Sequence, residues 1–226
     1  MKTVSSADPG FSISEQVFSV EECAELLGHL SNSLAHRSRA GARHLSSLPF
    51  IGRLMRDPRL LLIAREFLGA EVHPFRVTFF EKSAAANWLV VWHQDTALPL
   101  CERFDDPEWG PWSLKADVLY AHAPTQALSR VVALRLHLDD SIADNGPLRV
   151  LPGTHARGVL SDEEVSRLTK AIAPVACTVP KGAVLAMRPL LIHASSKSHT
   201  AAPRRVLHIE YADSLRIGAG IKLAVV

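Results

Sequence analysis

The sequence predicts a mainly β domain with flanking helices, built as a closed β-sandwich or jelly roll. Its 226 residues are 47% apolar and 21% charged, which is enough apolar material for one buried core over 1–226. The first third, residues 1–70, has a helical lead of apolar residues at steps of three and four. From residue 71 onward the pattern changes to short β-rich runs separated by turn residues, which favours a jelly-roll core over a parallel α/β sheet.

Three helices are predicted from residues that can cap their first turns. The capping residues are Ser19, Asp57 and Ser161. Each of the two serines is followed three residues later by a glutamate, the spacing of a capping box. Asp57 precedes a proline, which is favoured at the first helical position, and Gly69 ends that helix. The helix after Ser161 runs to about Lys170.

Seven apolar runs rich in Val, Ile and aromatic residues predict the strands of the core. They are 71–80, 87–92, 131–138, 147–151, 182–187, 190–195 and 204–212. The segment 101–130 is the exception, because it combines acidic residues, prolines and tryptophans with little periodicity. Such a long stretch without regular structure in a compact domain is typical of a lid over an active site.

Charge and hydropathy exclude several classes of partner. The chain has 25 Lys and Arg against 23 Asp and Glu, and the basic residues are scattered, so a nucleic-acid partner is not expected. No run of 18 apolar residues and no apolar signal-peptide core is present, which predicts a cytoplasmic protein without a membrane segment. The three cysteines have neither disulfide-framework nor zinc-site spacing.

The residues with the clearest chemical potential are two histidines and an aspartate. His93 and Asp95 are two positions apart on an extended segment, so their side chains point to one face. His193 ends another apolar run. Two imidazoles and one carboxylate can occupy one face of an octahedral metal and leave three positions open, as in non-haem Fe(II) oxygenases. By itself the pair 93 and 95 also fits a polar turn or a hydrogen-bonded buried pair.

Arginines follow His193 at eleven and twelve residues, as Arg204 and Arg205, on the next predicted strand. A guanidinium there could hold a dicarboxylate bidentately while a metal chelates its other end. Strand alternation groups Arg205 with the apolar positions of its strand, so a plain core argument would turn Arg205 inward rather than Arg204.

Longer motifs in the sequence resemble the phytanoyl-CoA dioxygenase-like branch of the Fe(II)/2-oxoglutarate-dependent oxygenases. The resemblance rests on WHQD at 92–95, LDDSIADNGPLRVLPGTHARG at 138–158, LLIHAS at 190–195 and the arginine eleven residues beyond His193. Together these motifs span most of residues 76–212, and the long NGPLRVLPGTH match makes the resemblance specific.

The resemblance implies a double-stranded β-helix, a cupin-like jelly-roll barrel with the N-terminal helices packed outside. It implies iron ligands at His93, Asp95 and His193, and Arg204 as the partner of the distal carboxylate of 2-oxoglutarate. Further residues implied near the cosubstrate are Lys82, Gln94, Ser195 and Arg135. The implied reaction is hydroxylation of a small molecule by dioxygen, with decarboxylation of 2-oxoglutarate to succinate and CO2 and with ascorbate supportive in vitro.

Two departures from the family pattern bear on those assignments. Family members often have Pro-Pro after the lysine that resembles Lys82, whereas Ser83 and Ala84 follow it here. Arg135 stands where a family member has a tryptophan beside the cosubstrate, which would make this pocket more cationic.

Substrate contacts are expected from the predicted lid and from one strand. Trp109 and Trp112 lie in the segment 101–130 and could cover a substrate or pack, and His137 has inward parity on its strand. That segment has few basic residues and several acidic ones, which favours a small substrate over a coenzyme A thioester.

The carboxylate at Asp95 also indicates which type of reaction the resemblance implies. Halogenases of the resembled superfamily lack this carboxylate, so Asp95 favours hydroxylation or a related oxidation such as desaturation. Two other functions stay open, namely a non-catalytic jelly-roll module that binds a small molecule or metal, and a cupin metalloenzyme independent of 2-oxoglutarate.

Overall fold

The computed structural model describes residues 8–34, 41–83, 86–218 and 220–226. Within these ranges the helices are α1 (Val20–Ser33), α2 (Pro49–Leu54), α3 (Pro58–Leu68), α4 (Thr125–Leu128) and α5 (Asp162–Ala171). The strands are β1 (Phe11–Gln16), β2 (Gly41–Arg43), β3 (His73–Lys82), β4 (Val90–His93), β5 (Ala97–Leu100), β6 (Trp112–Lys115), β7 (Val118–His122), β8 (Val131–His137), β9 (Leu148–Val150), β10 (Val175–Cys177), β11 (Ala183–Met187), β12 (His193–Ser195) and β13 (Arg204–Ala212).

The described strands form three antiparallel sheets. The major sheet has the order β1-β11-β8-β13-β3-β2, and the minor sheet has the order β10-β9-β12-β4. Side chains from both sheets line one cavity, as expected for the two halves of a jelly roll. A third sheet has the order β5-β7-β6. Its strands lie in the chain between β4 of the minor sheet and β8 of the major sheet. The predicted mainly β jelly roll is confirmed.

The major sheet buries one face under the N-terminal helices. Every second residue of β8 and β13 contributes a large apolar side chain to one cluster with α1, α2 and α3. The sheet residues of this cluster include Leu134, Leu136, Leu207, Ile209 and Tyr211, all fully buried. The alternate residues of the same strands therefore face the cavity between the two sheets. This packing confirms the expectation that the N-terminal helices lie outside the barrel.

Capping explains where the three predicted helices begin. Ser19 and Ser161 each accept a hydrogen bond from the backbone N–H of the glutamate three residues on, and each glutamate accepts one in return. Asp57 accepts from the backbone N–H of Arg59 at the start of α3, and Gly69 ends that helix with a positive φ.

Two predictions about segments were wrong in part. The first third also contains β1 and β2, which pair with β11 and β3 as the two edges of the major sheet. The segment 101–130 contains β6, β7 and α4 rather than a structureless stretch. These elements are three to six residues long, so their alternation is too brief to stand out in the sequence.

No helix among the described residues is long and apolar enough to cross a membrane. Cys23, Cys101 and Cys177 are free thiols.

Candidate active site

Two strands of the minor sheet bring the predicted metal ligands together. His193 opens β12 and pairs directly with His93 at the end of β4, and their ring centroids are 4.3 Å apart. Asp95 follows β4 by two residues, and its carboxylate oxygens lie 3.6 Å from the Nε2 atoms of His93 and of His193. One potential ligand atom from each residue lies within 4.8 Å of the others. Below, these three residues are called the triad.

Backbone carbonyls set the orientation of both imidazoles. His93 Nδ1 donates to the carbonyl of Val91 at 2.8 Å, and His193 Nδ1 donates to the carbonyl of Leu191 at 2.9 Å. Because Nδ1 carries the proton in these bonds, each Nε2 presents its lone pair towards Asp95 and the cavity. This is the tautomer that a histidine ligand to a metal needs.

The triad has the charge that a divalent metal requires. Burial opposes ionisation of Asp95, but His193 and His93 outweigh it and lower the pKa of the carboxyl. Burial lowers the pKa of His193 to about 4, which leaves its ring neutral. Burial also disfavours the charged form of His93, yet the neighbouring Asp95 raises its pKa, because the carboxylate favours a protonated ring. Two imidazoles and a carboxylate suit iron, and three positions would stay open on the cavity side.

The triad opens into a cavity of about 280 Å³ between the major and minor sheets. Its walls include Phe80, Trp88 and Leu148 as apolar surface. Its charged residues come mostly from the major sheet, where the interior positions of β3, β8 and β13 are polar. A cavity of this size suits a small molecule.

Ser195 connects two buried cations at the inner end of the cavity. Lys82 is 1% exposed, and its Nζ donates to Ser195 Oγ at 2.8 Å and to the carbonyl of Ser196. Arg204 is 3% exposed, and its Nη2 lies 3.4 Å from Ser195 Oγ. The hydroxyl of Ser195 donates in turn to the carbonyl of Gly146 at 2.8 Å. Among the described residues, no carboxylate forms an ion pair with Lys82 or Arg204.

Buried cations without counter-ions are costly, and the pKa shifts reflect this. Burial, with the charges of Arg204 and Arg135, lowers the pKa of Lys82 to about 8. Burial, with the charge of Arg135, lowers the pKa of Arg204 to about 9. The Nε of Arg204 and that of Arg135 are buried and have no hydrogen-bond partner in the described chain. A small dianion such as 2-oxoglutarate would satisfy these groups, so the residues present fit that cosubstrate.

Arg135 lies next to this group on β8. Its side chain is 7% exposed, its Nη1 donates to Nδ1 of His208 at 3.0 Å, and its guanidinium carbon lies 5.4 Å from the centroid of the Phe80 ring. His208 must therefore accept at Nδ1, and burial together with the charge of Arg135 lowers its pKa well below the usual value.

The structure separates Arg204 from Arg205. Arg205 points to the opposite side of β13, where its Nε and Nη2 donate to Asp139 at 2.7 and 2.8 Å. Arg204 lines the cavity. The apolar positions that share the parity of Arg205 pack on the outer helices, which is why a simple core argument selects Arg205 rather than the arginine that lines the cavity.

Gln94 is not brought to the cavity. It alternates with its neighbours in the triad and so points the other way. Its Nε2 donates to the carbonyls of Gly158 and Leu190 at 2.9 and 2.7 Å, and its Oε1 accepts from the N–H of Leu160 at 2.9 Å. These hydrogen bonds join the side-chain amide of Gln94, in the loop after β4, to the segment at 158–160 and to the segment at 190.

The expected substrate contacts are also placed elsewhere. Trp109 and Trp112 pack edge-to-face on Phe104, and neither lines the cavity beside the triad. His137 is 1% exposed with both ring nitrogens unpartnered in the described chain, and it is not among the residues that line the cavity. Burial, with the charges of Arg135 and Arg204, lowers the pKa of His137 well below its usual value.

Sequence reasoning missed other charged residues that line the cavity. They are Arg43, Arg76, Lys115 and Glu210. Arg76 donates from Nη2 to Glu210 at 2.6 Å and from Nε to its other oxygen, across the β3–β13 pair. Opposite charges at interior positions of two long strands were a signal for that pair. Arg43 and Lys115 lie on strands too short to be predicted.

Comparison with known proteins gives a family and a fold. The family model of phytanoyl-CoA dioxygenase (PhyH) matches residues 8–206. The L-proline trans-4-hydroxylase of Streptomyces griseoviridis is 27% identical over 187 residues, which cover 70% of this chain and 61% of that protein. The ectoine dioxygenase of Bordetella parapertussis is 28% identical over 174 residues, 70% of this chain and 50% of that protein. The chain thus spans only half to three fifths of the length of these relatives.

Solved structures show the same fold at lower identity. EctD from S. alaskensis with bound Fe is 23% identical and has a TM-score of 0.71 over 93% of this chain and 74% of that chain. A second structure of EctD contains 2-oxoglutarate and 5-hydroxyectoine, at 24% identity and a TM-score of 0.67 over 91% of this chain and 72% of that chain.

Proposed function

Because the chain belongs to the phytanoyl-CoA dioxygenase (PhyH) family, we propose that it is a Fe(II)- and 2-oxoglutarate-dependent dioxygenase that hydroxylates a small organic molecule. The observation that carries this proposal is the triad, with ligand atoms within 4.8 Å of one another, beside buried cations that lack counter-ions. The structures of EctD with iron and with 2-oxoglutarate support it as relatives in fold.

The residues of the triad would hold the iron. When bound, iron and 2-oxoglutarate supply the oxidising chemistry, in which dioxygen is reduced, 2-oxoglutarate becomes succinate and CO2, and the substrate gains a hydroxyl group. The protein contributes fixed imidazoles, because the carbonyls of Val91 and Leu191 hold both rings in place. Asp95 contributes the anionic ligand.

Arg204, Lys82 and Ser195 would hold the distal carboxylate of the cosubstrate. Arg204 offers its unpartnered Nε together with Nη2. This Nη2 and the Nζ of Lys82 both lie within hydrogen-bond distance of the hydroxyl of Ser195. Because the site is buried, water competes weakly for these donors, and each charge-assisted bond is stronger than at the surface. Arg135 adds positive charge to the same pocket.

The experiment that tests this proposal measures succinate formed from 2-oxoglutarate by anaerobically purified protein with Fe(II), ascorbate and air. We expect succinate from the wild type and none above background from Asp95→Ala, because loss of the only anionic ligand in the triad weakens iron binding. Asp105→Ala is the matched control, since this exposed aspartate lies outside the cavity. No succinate from the wild type, together with no binding of Mn(II) or 2-oxoglutarate, would contradict the proposal.

L-Proline and ectoine are the first substrates to test, because they are named in the activities of two relatives. A coenzyme A thioester fits less well, since its size exceeds a cavity of about 280 Å³ unless most of it lies outside. A hydroxylated product, detected by mass spectrometry in proportion to succinate, would identify a substrate; succinate without product identifies uncoupled turnover.

A further inference from the structure

The cavity carries more positive charge than iron and 2-oxoglutarate require. Five cationic side chains line it against two carboxylates, an excess of three. The cations are Arg43, Arg76, Lys115, Arg135 and Arg204. Both carboxylates already have partners, because Asp95 belongs to the triad and Glu210 forms an ion pair with Arg76. Fe(II) and the 2-oxoglutarate dianion carry equal and opposite charge, so binding both leaves the excess in place.

Part of the excess lies away from the cosubstrate pocket, at Arg43 and Lys115, called here the outer cations. Arg43 is exposed and Lys115 is half-buried, whereas Arg204 at the inner end is 3% exposed. Arg43 pairs across the sheet with Thr78, and Thr78 pairs with His208. Directly paired residues share one face of a sheet, so Arg43 projects on the cavity side.

Neither outer cation has a carboxylate partner. No ion pair or hydrogen bond joins Arg43 or Lys115 to Asp or Glu within the described ranges, and the rest of the chain contains no acidic residue. Lys115 Nζ lies 5.0 Å from the centroid of the Tyr120 ring, and the guanidinium carbon of Arg76 lies 5.6 Å from the same centroid. Burial, with the charges of Arg43 and Arg76, lowers the pKa of Lys115. The positive charges of Arg43, Arg76 and Lys115 therefore repel one another unless an anion binds among them.

A strained turn holds Lys115 in this position. Lys115 ends β6 and pairs with Val118, so Ala116 and Asp117 form a two-residue turn. Both turn residues have positive φ, 47° and 61°. Hairpins of this kind favour Asn-Gly, and an alanine there costs free energy because its Cβ crowds the backbone. Such strain is common where a functional side chain must be held in place.

We propose that Arg43 and Lys115 bind an anionic group of the substrate, a carboxylate or a phosphate, and so direct the rest of the molecule towards the triad. This inference rests on the proposed function and narrows its substrate class to organic anions. The distal carboxylate of 2-oxoglutarate is not the occupant, because Arg204, Lys82 and Ser195 offer it a separate buried group of donors. That group lies at the Lys82–Arg204 pair, four residues along β3 from Thr78, the partner of Arg43. Molecules without an anionic group are disfavoured by the same excess of positive charge.

The test compares acids with neutral counterparts on protein loaded with Mn(II) and 2-oxoglutarate. The probes are benzoate with benzamide, cyclohexanecarboxylate with its carboxamide, phenyl phosphate with phenol, and N-acetyl-L-amino acids with their amides. Binding is measured by calorimetry, and stimulation of succinate formation is measured with Fe(II). We expect an acid or phosphate ester to bind about tenfold or more tightly than its neutral counterpart. The arm that binds distinguishes a carboxylate from a phosphate ligand.

The double variant Arg43→Gln/Lys115→Met should weaken that binding about tenfold or more and leave the affinity for Mn(II) and 2-oxoglutarate within about twofold. Arg43→Lys/Lys115→Arg should retain it. Arg167→Gln/Lys170→Met is the matched control, because it removes one arginine and one lysine from the exposed surface of α5.

Three results would overturn the inference: equal binding of acids and neutral counterparts, binding unchanged in the double variant, or no acid or phosphate ester that binds. The same titrations on metal-free protein separate the two proposals. Anion binding that depends on the outer cations would support this inference even if the wild type failed to bind Mn(II) and 2-oxoglutarate, which would contradict only the proposed function.

Discussion

Ser195 is the residue at which the proposed cosubstrate pocket and the family motif at 145–147 meet. Its hydroxyl accepts from Lys82, lies within reach of Arg204 and donates to the carbonyl of Gly146. Gly146 has a φ of +70°, and a Cβ there would lie 2.5 Å from the carbonyl oxygen of Ser196 and 3.0 Å from Cδ of Lys82. Only glycine allows this approach, which explains the NG pair in the motif.

Arg204→Met tests the cosubstrate pocket at the level of one side chain. We expect the dissociation constant of 2-oxoglutarate, measured by calorimetry with Mn(II), to rise about 100-fold, which corresponds to about 2.7 kcal/mol for a lost charge-assisted pair. Arg205→Met is the control, since Arg205 bonds Asp139 on the other side of the strand. Equal effects of the two substitutions would show that the cosubstrate is held elsewhere.

At the scale of elements, those with a chemical signal at their ends were predictable from the sequence. Capping residues located α1, α3 and α5, and β13 begins and ends at the residues of its apolar run, 204–212. The strands β1, β2 and β5 were missed because each pairs with a segment distant in the chain. The strands β6 and β7 pair with each other across Ala116 and Asp117, and they were missed because this turn lacks the glycine or asparagine that usually marks a hairpin. The outer cations lie on two of these strands, so the part of the cavity that they form could not be predicted either.

The start of α3 is joined to α1 by one ion-pair network. Asp57 Oδ1 accepts from the N–H of Arg59 at 2.9 Å, and Asp57 Oδ2 lies 2.7 Å from Nη2 of Arg59, which also donates to Glu22 of α1 at 2.8 Å. Asp57→Ala should lower the free energy of unfolding by about 1–2 kcal/mol, mainly through the lost N-cap, because these half-exposed ion pairs contribute little. Asp57→Asn, which keeps the cap, should cost less in urea denaturation.

The same network gives the Asp57→Ala effect a pH dependence. The hydrogen bonds that the side chain of Arg59 donates to Asp57 lower the pKa of Asp57, so the folded state favours the ionised carboxylate. The stabilisation is therefore present at neutral pH and is lost as the pH falls through the folded pKa, below the usual range for an aspartate. The difference between wild type and Asp57→Ala should narrow as urea titrations move from about pH 7 to about pH 3. A difference that stayed constant would assign the effect to packing.

On the scale of the whole molecule, one sheet serves two purposes. The outward residues of β8 and β13 form the apolar contact with the helices, and the inward residues of the same strands supply Arg135, His208, Glu210 and Arg204 to the cavity. The triad and Arg204 could be anticipated from motif spacing, because β4, β12 and β13 carry them in fixed order. The Arg76–Glu210 pair and the outer cations depend on the packing of separate strands, which spacing alone does not specify.

This shared sheet predicts that the helical layer and the barrel unfold as one domain over 1–226. All four tryptophans lie beyond residue 71, so their fluorescence reports on the barrel, while far-ultraviolet circular dichroism reports largely on α1, α3 and α5. In urea the two signals should give coincident transitions. Leu60→Ala, which empties a fully buried position of α3 against the sheet, should lower stability by about 2–5 kcal/mol and shift both transitions equally.

Leu62→Ala is the matched control for that experiment, because Leu62 lies two residues further along α3 and is 62% exposed. Its effect should stay within about 0.5 kcal/mol. If Leu60→Ala shifted the dichroism transition and left the fluorescence transition in place, the helices would form a separate unit. In that case the cavity would depend only on the two sheets. Coincident shifts would instead mean that changes in the helical layer reach the triad by destabilising the sheet that encloses it.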